Sequence, residues 1–308
     1  MAQTLTQVRE WNATLKSARP ETVAVFVGGT SGIGKHTAIE LAGAVKKPTV
    51  YIVGRNEAAG AQVVEAMKKA NPNGSYGFKA VDISNLRNVD EACEELRTCF
   101  EGLDLLFLSA GALAFSKNET PAGIDVNHML RYYSRMRFVE NLLPALEATK
   151  CPRVVSILAG GKETMIEEDN LDLRKKFSLS ASNGYPASMT SLAFEVLASQ
   201  HPSVSFLHVF PGIVATPLMK NSMGSVAGTI FGFLTKPISI SAQESGEWQI
   251  WLSTSPNFPP KNSGQGAYVL NYDGKDVTNQ SLMTQLRDKG FPEIVWKHTQ
   301  DTFTRILA

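Results

Sequence analysis

The stretch "VAVFVGGTSGIGKHTAIELAGAV", residues 23–45, joins an apolar β-branched run to a glycine-rich turn and then to a helical pattern. Glycine suits this turn because a Cβ atom would block a tight reversal and keep a phosphate away from the backbone N–H groups at the helix N-terminus. The order strand, turn, helix with the spacing GxxxGxG predicts a loop that binds a dinucleotide pyrophosphate. The predicted contact residues are Gly28, Thr30, Ser31, Gly32, Ile33 and Gly34.

A second apolar run, 49–53, is followed by an arginine, Arg55, and not by an acidic residue. A carboxylate at this point would hydrogen-bond the ribose hydroxyls of NAD, whereas an arginine pairs with the 2′-phosphate of NADP. The first carboxylate after the run is Glu57. The sequence therefore predicts NADP(H) as the cofactor, with Arg55 as the main contact of the 2′-phosphate and Lys35 or His36 as weaker candidates.

Short apolar runs alternate with longer mixed segments along the chain, which is the pattern of βα units and a parallel sheet. The predicted strands are 23–27, 49–53, 78–82, 104–108, 153–158, 204–210 and 267–270, and the predicted helices are 33–46, 56–70, 86–101, 122–148 and 186–200. Every connection is long enough for a right-handed crossover. We predict a single α/β domain over residues 1–308, with a doubly wound, parallel, seven-stranded Rossmann sheet and helices on both faces.

Two segments stand outside this rhythm. Residues 1–20 are predicted to form an N-terminal helical extension with an amphipathic pattern. Residues 216–264, rich in Ser, Gly, Phe and Pro, interrupt the alternation before the last strand. Because ligands of such sheets bind at the carboxyl ends of the strands, and long insertions there are often functional, this insertion is expected to form a substrate lid.

The composition excludes several functional classes. Thirty Lys and Arg against 29 Asp and Glu give a formal net charge of +1, so the overall charge does not favour nucleic acid or an anionic membrane. No stretch approaches the roughly 20 apolar residues of a membrane span, and the N-terminus lacks the apolar core of a signal peptide. The three cysteines and five histidines show no metal-ligand spacing. We therefore expect a cytoplasmic protein without a metal that acts on a small molecule.

Four further stretches accompany the loop, and together they resemble the short-chain dehydrogenase/reductase family over residues 22–275. They are "VDIS" at 81–84, "LSAG" at 108–111, "DVN" at 125–127 and "FPGIVATP" at 210–217. The resemblance implies that Asp82 and Ile83 contact the adenine, that Ser109 replaces an asparagine, and that Asn127 helps to hold a water in a proton relay. The other implied cofactor contacts are Ala110, Gly111, Pro211, Gly212, Val214 and Thr216.

The resemblance also implies a serine after strand five, a tyrosine that transfers the proton, and a lysine four residues later that holds the nicotinamide ribose. Here Ala159 occupies the serine position. The segment "YPASM" at 185–189 supplies Tyr185, but Met189 occupies the lysine position and can neither donate to a ribose nor stabilise a phenolate. In this register, only the tyrosine of the three family residues is present.

The register of the catalytic helix stays open at this point. Tyr185 precedes Pro211 by 26 positions (211 − 185), which is shorter than is usual in the family and would move the tyrosine position toward residue 181. A match of "LAFE", residues 192–195, to the end of the family's catalytic helix would move it further, to Phe177 or Ser178. The breakers Asn183, Gly184 and Pro186 also indicate an irregular segment there.

The function that these residues favour is that of an NADP(H)-dependent oxidoreductase that reduces a carbonyl, imine or enone of a small molecule. Tyr185 would donate the proton, Asn127 and Thr216 would position the reactants, and Ser182, with Ser178 or Ser180, would replace the missing serine. The alternatives are a non-redox isomerase or cyclase and a cofactor-binding protein without turnover. The chain resembles the fungal short-chain reductases of specialised metabolism, and its long helices resemble those through which family members form homodimers or homotetramers.

Overall fold

A computed structural model describes residues 3–111, 116–215 and 239–308. Within these residues the chain forms a sheet of seven parallel strands in the order β3-β2-β1-β4-β5-β6-β7. The order reverses direction between β1 and β4, which is the arrangement of a doubly wound α/β fold. The fold class predicted from the sequence is confirmed.

The strands lie close to their predicted positions. They are β1 Glu21–Val27, β2 Lys47–Gly54, β3 Ser75–Ala80, β4 Leu105–Leu108, β5 Arg153–Ile157, β6 Ser205–Phe210 and β7 Ala267–Asn271. The central strands β4 and β5 are buried along their whole length. Such strands read as continuous apolar runs because helices cover both faces of a parallel sheet.

The helices between the strands are numbered here in chain order over the described residues. They are α1 Leu5–Ala18, α2 Gly32–Ala44, α3 Glu57–Ala70, α4 Leu86–Arg97, α5 Val126–His128, α6 Ser134–Glu147, α7 Leu179–Gln200, α8 Ala242–Thr254, α9 Gln280–Asp288 and α10 Phe291–Leu307. A π-helical turn, Met129–Tyr133, joins α5 to α6. Such turns are rare in proteins, and those that occur are often found at functional sites.

The core consists of two apolar layers, one on each face of the sheet. Side chains of α4, α6, α7, α9 and α10 pack against one face of the strands. Side chains of α1, α2, α3 and α8 pack against the other face. Both faces of the sheet are therefore covered, and its carboxyl edge is where the loops after the strands meet.

The N-terminal extension is the helix α1, which begins with a capping box formed by Thr4 and Gln7. It lies against α8, where the Trp11 indole donates to Thr254 Oγ1 at 2.9 Å and the Asn12 amide donates to the Glu247 carbonyl at 2.9 Å. These contacts fix the extension to the outer face of the apolar layer that contains α2.

Part of the insertion expected to form a lid is a packed helix. In α8, Gly246 faces the backbone of α2 so closely that a Cβ atom there would lie 3.0 Å from the carbonyl carbon of His36. The buried Arg153 guanidinium of β5 donates to the carbonyls of Leu252, Ser255 and Phe258 just beyond this contact. Residues 242–254 thus belong to the core, and residues 216–238 lie outside the described part of the chain.

The helix α7 begins earlier than the predicted start at residue 186. Ser178 caps it, accepting the N–H of Ala181, and the helix continues through Asn183, Gly184 and Pro186. The expectation of an irregular segment there is wrong. The reason lies in a contact with α5 that is described below.

Candidate functional site

The loop after β1 has the backbone that its glycines predict. Gly28 and Gly32 have φ values of +93° and +55°, which lie in the left-handed region that favours glycine. A Cβ atom on Gly28 would lie 2.3 Å from the Ala110 amide nitrogen, and one on Gly34 would lie 2.4 Å from Ser109 Oγ. The glycines therefore allow β1, β4 and α2 to approach closely at the surface of the carboxyl edge.

The N-terminus of α2 faces this surface and is suited to an anion. Ser31 is its N-cap in an extended conformation, but the Ser31 hydroxyl makes no capping hydrogen bond, and the first turn contains no acidic residue. The first backbone N–H groups of a helix lack intrahelical acceptors, and the helix dipole favours negative charge there. The residues present thus fit a bound pyrophosphate.

Arg55 follows β2 and is exposed to solvent. It forms no ion pair or side-chain hydrogen bond with any residue in the described ranges, although its neighbour Asn56 caps α3. Among the weaker candidates, His36 is half-buried, and burial together with the adjacent Lys35 lowers its pKa, so it is neutral at pH 7. Of these three residues, Arg55 is the one whose guanidinium is open to a phosphate.

The predicted adenine contacts follow β3. The Asp82 carboxylate accepts the backbone N–H and the hydroxyl of Ser84. Ile83 is buried, and its carbonyl accepts the hydroxyl of Ser134 on α6. Asp82 stays exposed at the edge, and the Ser134 contact joins this edge to α6.

Ser109, Ala110 and Gly111 continue β4 at the same edge. Ser109 Oγ donates to the Gly28 carbonyl at 3.3 Å, so a serine in the asparagine position still joins β4 to the glycine loop. On the far side, Gly212 has a φ of +76° after β6, and Val214 forms a bridge with Ile240. Pro211 precedes this turn, and Thr216 lies outside the described residues.

Asn127 and Ser182 are brought together between α5 and α7. Asn127 Nδ2 donates to the Ser182 carbonyl at 3.2 Å and to Ser182 Oγ at 3.3 Å. Pro186 has no N–H, so the Ser182 carbonyl four residues before it lacks its helical donor. Asn127 supplies the missing donor, which explains why α7 continues through a proline.

The same contact includes a carboxylate. Ser182 Oγ donates to Asp125 Oδ1 at 3.0 Å, and the other Asp125 oxygen accepts the Asn118 N–H at 3.1 Å. Asp125 also caps α5 through the backbone N–H of His128. The proton of Ser182 is therefore directed at a buried carboxylate of the protein.

Tyr185 lies one helical turn after Ser182, and residues three apart share a face of a helix. Its hydroxyl oxygen accepts the Glu167 N–H at 3.2 Å, and burial raises its pKa above the usual range. Within the described residues, no acceptor takes the hydroxyl proton of Tyr185. Met189 is fully buried in the core, so it adds no polar group to the site.

A buried polar group behind Ala159 was missed by the sequence reasoning. The Ala159 N–H donates to His208 Nε2 at 3.2 Å, so the other ring nitrogen carries the proton and faces Ser191 Oγ at 2.7 Å. Ser191 Oγ in turn donates to Glu163 Oε1 at 2.8 Å. Burial lowers the pKa of His208 to about 3 and raises that of Glu163. The loop after β5 is held by this chain of hydrogen bonds.

Two arginines of the π-helical turn and α6 were also missed. Arg131 and Arg135 are 7% and 2% exposed, and burial lowers their pKa values to about 10 and about 9, so both stay charged at pH 7. Arg135 donates to Ser156 Oγ and to the carbonyls of Ile157 and Ala110. The spacing i, i+4 within an apolar helix was the only signal in the sequence.

His128 gives a stability prediction. Its ring is fully buried, its Nε2–H donates to the Leu171 carbonyl at 2.9 Å, and burial lowers its pKa from 6.5 to about 4. Between pH 6.5 and pH 4 the unfolded chain therefore binds one more proton at this residue than the folded chain, so stability falls as the pH falls.

We expect His128→Gln, which keeps an N–H donor, to remove this contribution. Urea denaturation at pH 7, 6 and 5 should show the free energy of unfolding of the wild type falling relative to that of the variant, by up to about 1.4 kcal/mol per pH unit in the lower part of the range. Parallel profiles for the two proteins would show that His128 is not held neutral by the fold.

The described residues contain no group of three or more His, Cys, Asp or Glu side chains arranged to bind a metal ion. None of the described helices is both long enough and apolar enough to span a membrane. The sheet order and the loop after β1 define a protein of the Rossmann class.

Comparison with known proteins identifies the family. A family model, short chain dehydrogenase, matches residues 22–170. The chain is 42% identical to Oxidoreductase andH of Emericella variicolor over 99% of this chain and 98% of that protein. It is 29% identical to Short-chain dehydrogenase/reductase SAT2 of Stachybotrys chartarum over 92% of each chain. The chain therefore belongs to the short-chain dehydrogenase/reductase family.

Solved structures show the same fold at low sequence identity. L-sorbose reductase from Gluconobacter frateurii, complexed with NADPH and L-sorbose, is similar with a TM-score of 0.61 and 19% identity, over 84% of this chain and 97% of that chain. Levodione reductase is similar with a TM-score of 0.62 and 18% identity, over 82% and 96%. Family and fold together describe the chain as an oxidoreductase that acts on a small molecule.

Proposed function

We propose that the protein is an NADP(H)-dependent reductase of a carbonyl, imine or enone group. The observation that carries this proposal is the exposed Arg55, which has no partner among the described residues and lies beside a glycine loop that opens onto the N-terminus of α2. Gly28, Gly32 and Gly34 allow the pyrophosphate to approach the backbone, and Arg55 receives the 2′-phosphate. The NADPH bound to L-sorbose reductase, a protein of the same fold, supports this choice of cofactor.

The proposed contacts of the other cofactor residues follow from their positions at the ends of the strands. Asp82 and Ile83 lie beside the adenine, at the end of β3. The described residues at the ends of β4 and β6 would border the nicotinamide half, and they are Ser109, Ala110, Gly111, Pro211, Gly212 and Val214. The sequence assigns Thr216, outside the described residues, to the same half. When bound, the nicotinamide supplies the hydride for the reaction.

Tyr185 is the proposed proton donor. Burial raises its pKa above the usual value, so the phenol stays protonated at pH 7 and is available as a proton donor but not as a base. The Glu167 N–H donates to the phenol oxygen, and no described residue accepts the phenol proton, which is therefore available to a substrate. Asn127 and Ser182 hold α7 in place beside it, and Ala159 contributes only its backbone.

The reaction is tested by incubating the purified protein with NADPH and a panel of ketones, cyclic imines and enones, and following absorbance at 340 nm. The proposal expects substrate-dependent loss of NADPH for at least one class. Conversion of a substrate without any change in NADPH would instead show the isomerase or cyclase alternative. Tight NADPH binding with no conversion in any class would show a cofactor-binding protein.

The cofactor preference gives a second prediction. We expect Arg55→Ala to weaken NADPH binding by about 10- to 100-fold, the value of one or two charge-assisted hydrogen bonds, and to leave NADH binding unchanged within about twofold. The dissociation constants are measured by fluorescence titration.

Arg87→Ala is the matched control for this prediction. Arg87 is also an exposed arginine, but its guanidinium contacts the carbonyl of Ala308, away from the loop. We expect it to bind both nucleotides as the wild type does. Equal weakening of NADPH and NADH by Arg55→Ala would contradict the assignment of the 2′-phosphate contact.

A further inference from the structure

The site contains a cation that the family pattern does not assign. Arg131 lies in the π-helical turn between α5 and α6, and its side chain spans from the end of β4 to α7. A Cβ atom on Gly111 would lie 3.2 Å from Arg131 Cγ, and Arg131 Nη1 donates to Asn183 Oδ1 at 2.9 Å. The guanidinium therefore reaches α7 at the residue after Ser182.

Arg131 is buried, with no counter-ion among the described residues. In the described ranges it forms no ion pair with a carboxylate, and Asn183 is the one acceptor that its guanidinium contacts. Its Nε and Nη2 groups are not among the buried polar atoms that lack a partner, whereas Nε of Arg135 is. Those two donors of Arg131 therefore reach the accessible surface, where a ligand can accept from them.

Arg135 shows the contrast. It lies four residues later on the same side of the helix and gives its two Nη groups to three oxygen atoms of the protein. An arginine that stabilises the fold donates in this way to several oxygen atoms of the protein. Arg131 is almost as deeply buried and contacts one acceptor among the described residues, so its other donors are available to a ligand.

The helix α7 contains no cation that could compete for this role. In the register of "YPASM" the lysine position is Met189, which is buried in the core. If the tyrosine position is Phe177 or Ser178, the lysine position is Ala181 or Ser182, and neither carries a charge. Arg131 contacts Asn183, which directly follows Ser182, one of the two lysine positions in this second register.

We propose that Arg131 takes the place of the missing lysine and binds the nicotinamide ribose of the cofactor. Its Nε–H and Nη2–H, which have no acceptor in the described part of the chain, form one edge of the guanidinium fork and present two parallel donors to two neighbouring oxygens. A vicinal ribose diol offers two such oxygens. This inference rests on the proposed function, because it requires the dinucleotide to bind along the edge formed by Gly28 and Arg55.

The experiment compares a whole cofactor with a fragment that lacks its nicotinamide half. NADP⁺ and adenosine 2′,5′-bisphosphate are titrated by isothermal calorimetry into the wild type, Arg131→Met, Arg131→Lys and Lys162→Met. Arg131→Met should weaken NADP⁺ by about tenfold or more and leave the bisphosphate within about twofold. Arg131→Lys keeps the charge but has no guanidinium fork. Its affinity for NADP⁺ should lie between those of the wild type and Arg131→Met.

Lys162→Met is the control, because Lys162 is an exposed cation at the same edge that lies over the Phe210 ring. It should bind both nucleotides as the wild type does. The Arg131 proposal is overturned if Arg131→Met leaves NADP⁺ affinity unchanged, if it weakens both nucleotides equally, or if Lys162→Met alone weakens NADP⁺.

Two further outcomes are also decisive. If the wild type does not bind the bisphosphate, the proposed cofactor site fails, and the Arg131 proposal fails with it. If the bisphosphate binds but Arg131 has no effect, the cofactor site stands and only the present inference fails. Should Arg131→Met not fold, Arg131→Lys gives the same comparison, with a loss of about threefold or more expected for NADP⁺ alone.

Discussion

Replacing Gly28 with alanine should abolish NADPH binding and destabilise the protein by about 3 kcal/mol or more. The φ of +93° is strained for any residue with a Cβ atom. The new atom would also lie 2.3 Å from the amide nitrogen of Ala110 and 2.8 Å from the carbonyl carbon of Ser109. Because these are backbone atoms at the end of a buried strand, no side-chain rotation relieves the overlap. Urea denaturation and an NADPH titration measure the two effects.

Gly43→Ala is the control, and its expected effect has the opposite sign. Gly43 lies inside α2, and a Cβ atom there would meet only the Ala70 Cβ at 3.9 Å, an ordinary contact. Gly43 is the second-last residue of α2, so alanine there should stabilise the protein by up to about 0.5–1 kcal/mol and leave NADPH binding unchanged. Wild-type NADPH affinity in Gly28→Ala would show that the loop backbone does not form the cofactor site.

The sheet could be predicted because its signals are local. Each buried strand is a short apolar run, and the glycine loop is a contiguous motif whose conformational needs can be read from residue type. The positions of Ser109 and Gly212 at the same edge follow from the rule that carboxyl ends of parallel strands meet there. No long-range contact had to be known for this part of the structure.

The course of α7 could not be predicted for the opposite reason. Pro186 and Gly184 are local signals against a helix, and on their own they favour a break. The helix continues because Asn127 donates to the Ser182 carbonyl, which Pro186 leaves without its helical donor. Asn127 lies 55 residues before Ser182 in the chain. A contact of this kind is visible only when both helices are in place.

The role of the insertion depends on the same kind of contact. The sequence of residues 242–254 contains Gly246, but only the structure shows that His36 lies opposite it. Arg131 and Arg135 lie in similar stretches of sequence, but in the structure their guanidinium groups have different numbers of acceptors. Charge is read from the sequence, whereas the number of acceptors around a charge is not.

Replacing Arg135 with methionine should destabilise the protein by about 3 kcal/mol, the second large effect that we expect. Methionine has a similar length and fills the space, so the loss concerns hydrogen bonds and not a cavity. Arg135 donates to Ser156 Oγ at 2.7 Å, to the Ile157 carbonyl at 2.8 Å and to the Ala110 carbonyl at 2.6 Å. Each buried acceptor left without a donor costs about 1–3 kcal/mol.

A gain of several kcal/mol from no longer burying the charge offsets part of this loss. The summed cost of three acceptors without donors is therefore not expected in full.

Arg137→Met is the matched control on the same helix. Arg137 is partly exposed and pairs with Asp90 and Glu140, so its removal should cost about 1–2 kcal/mol, less than that of Arg135. Both variants are compared by urea denaturation. Equal stability of Arg135→Met and the wild type would mean that desolvation of the guanidinium cancels its three hydrogen bonds. Arg135 would then hold the ends of β4 and β5 in position without stabilising the fold.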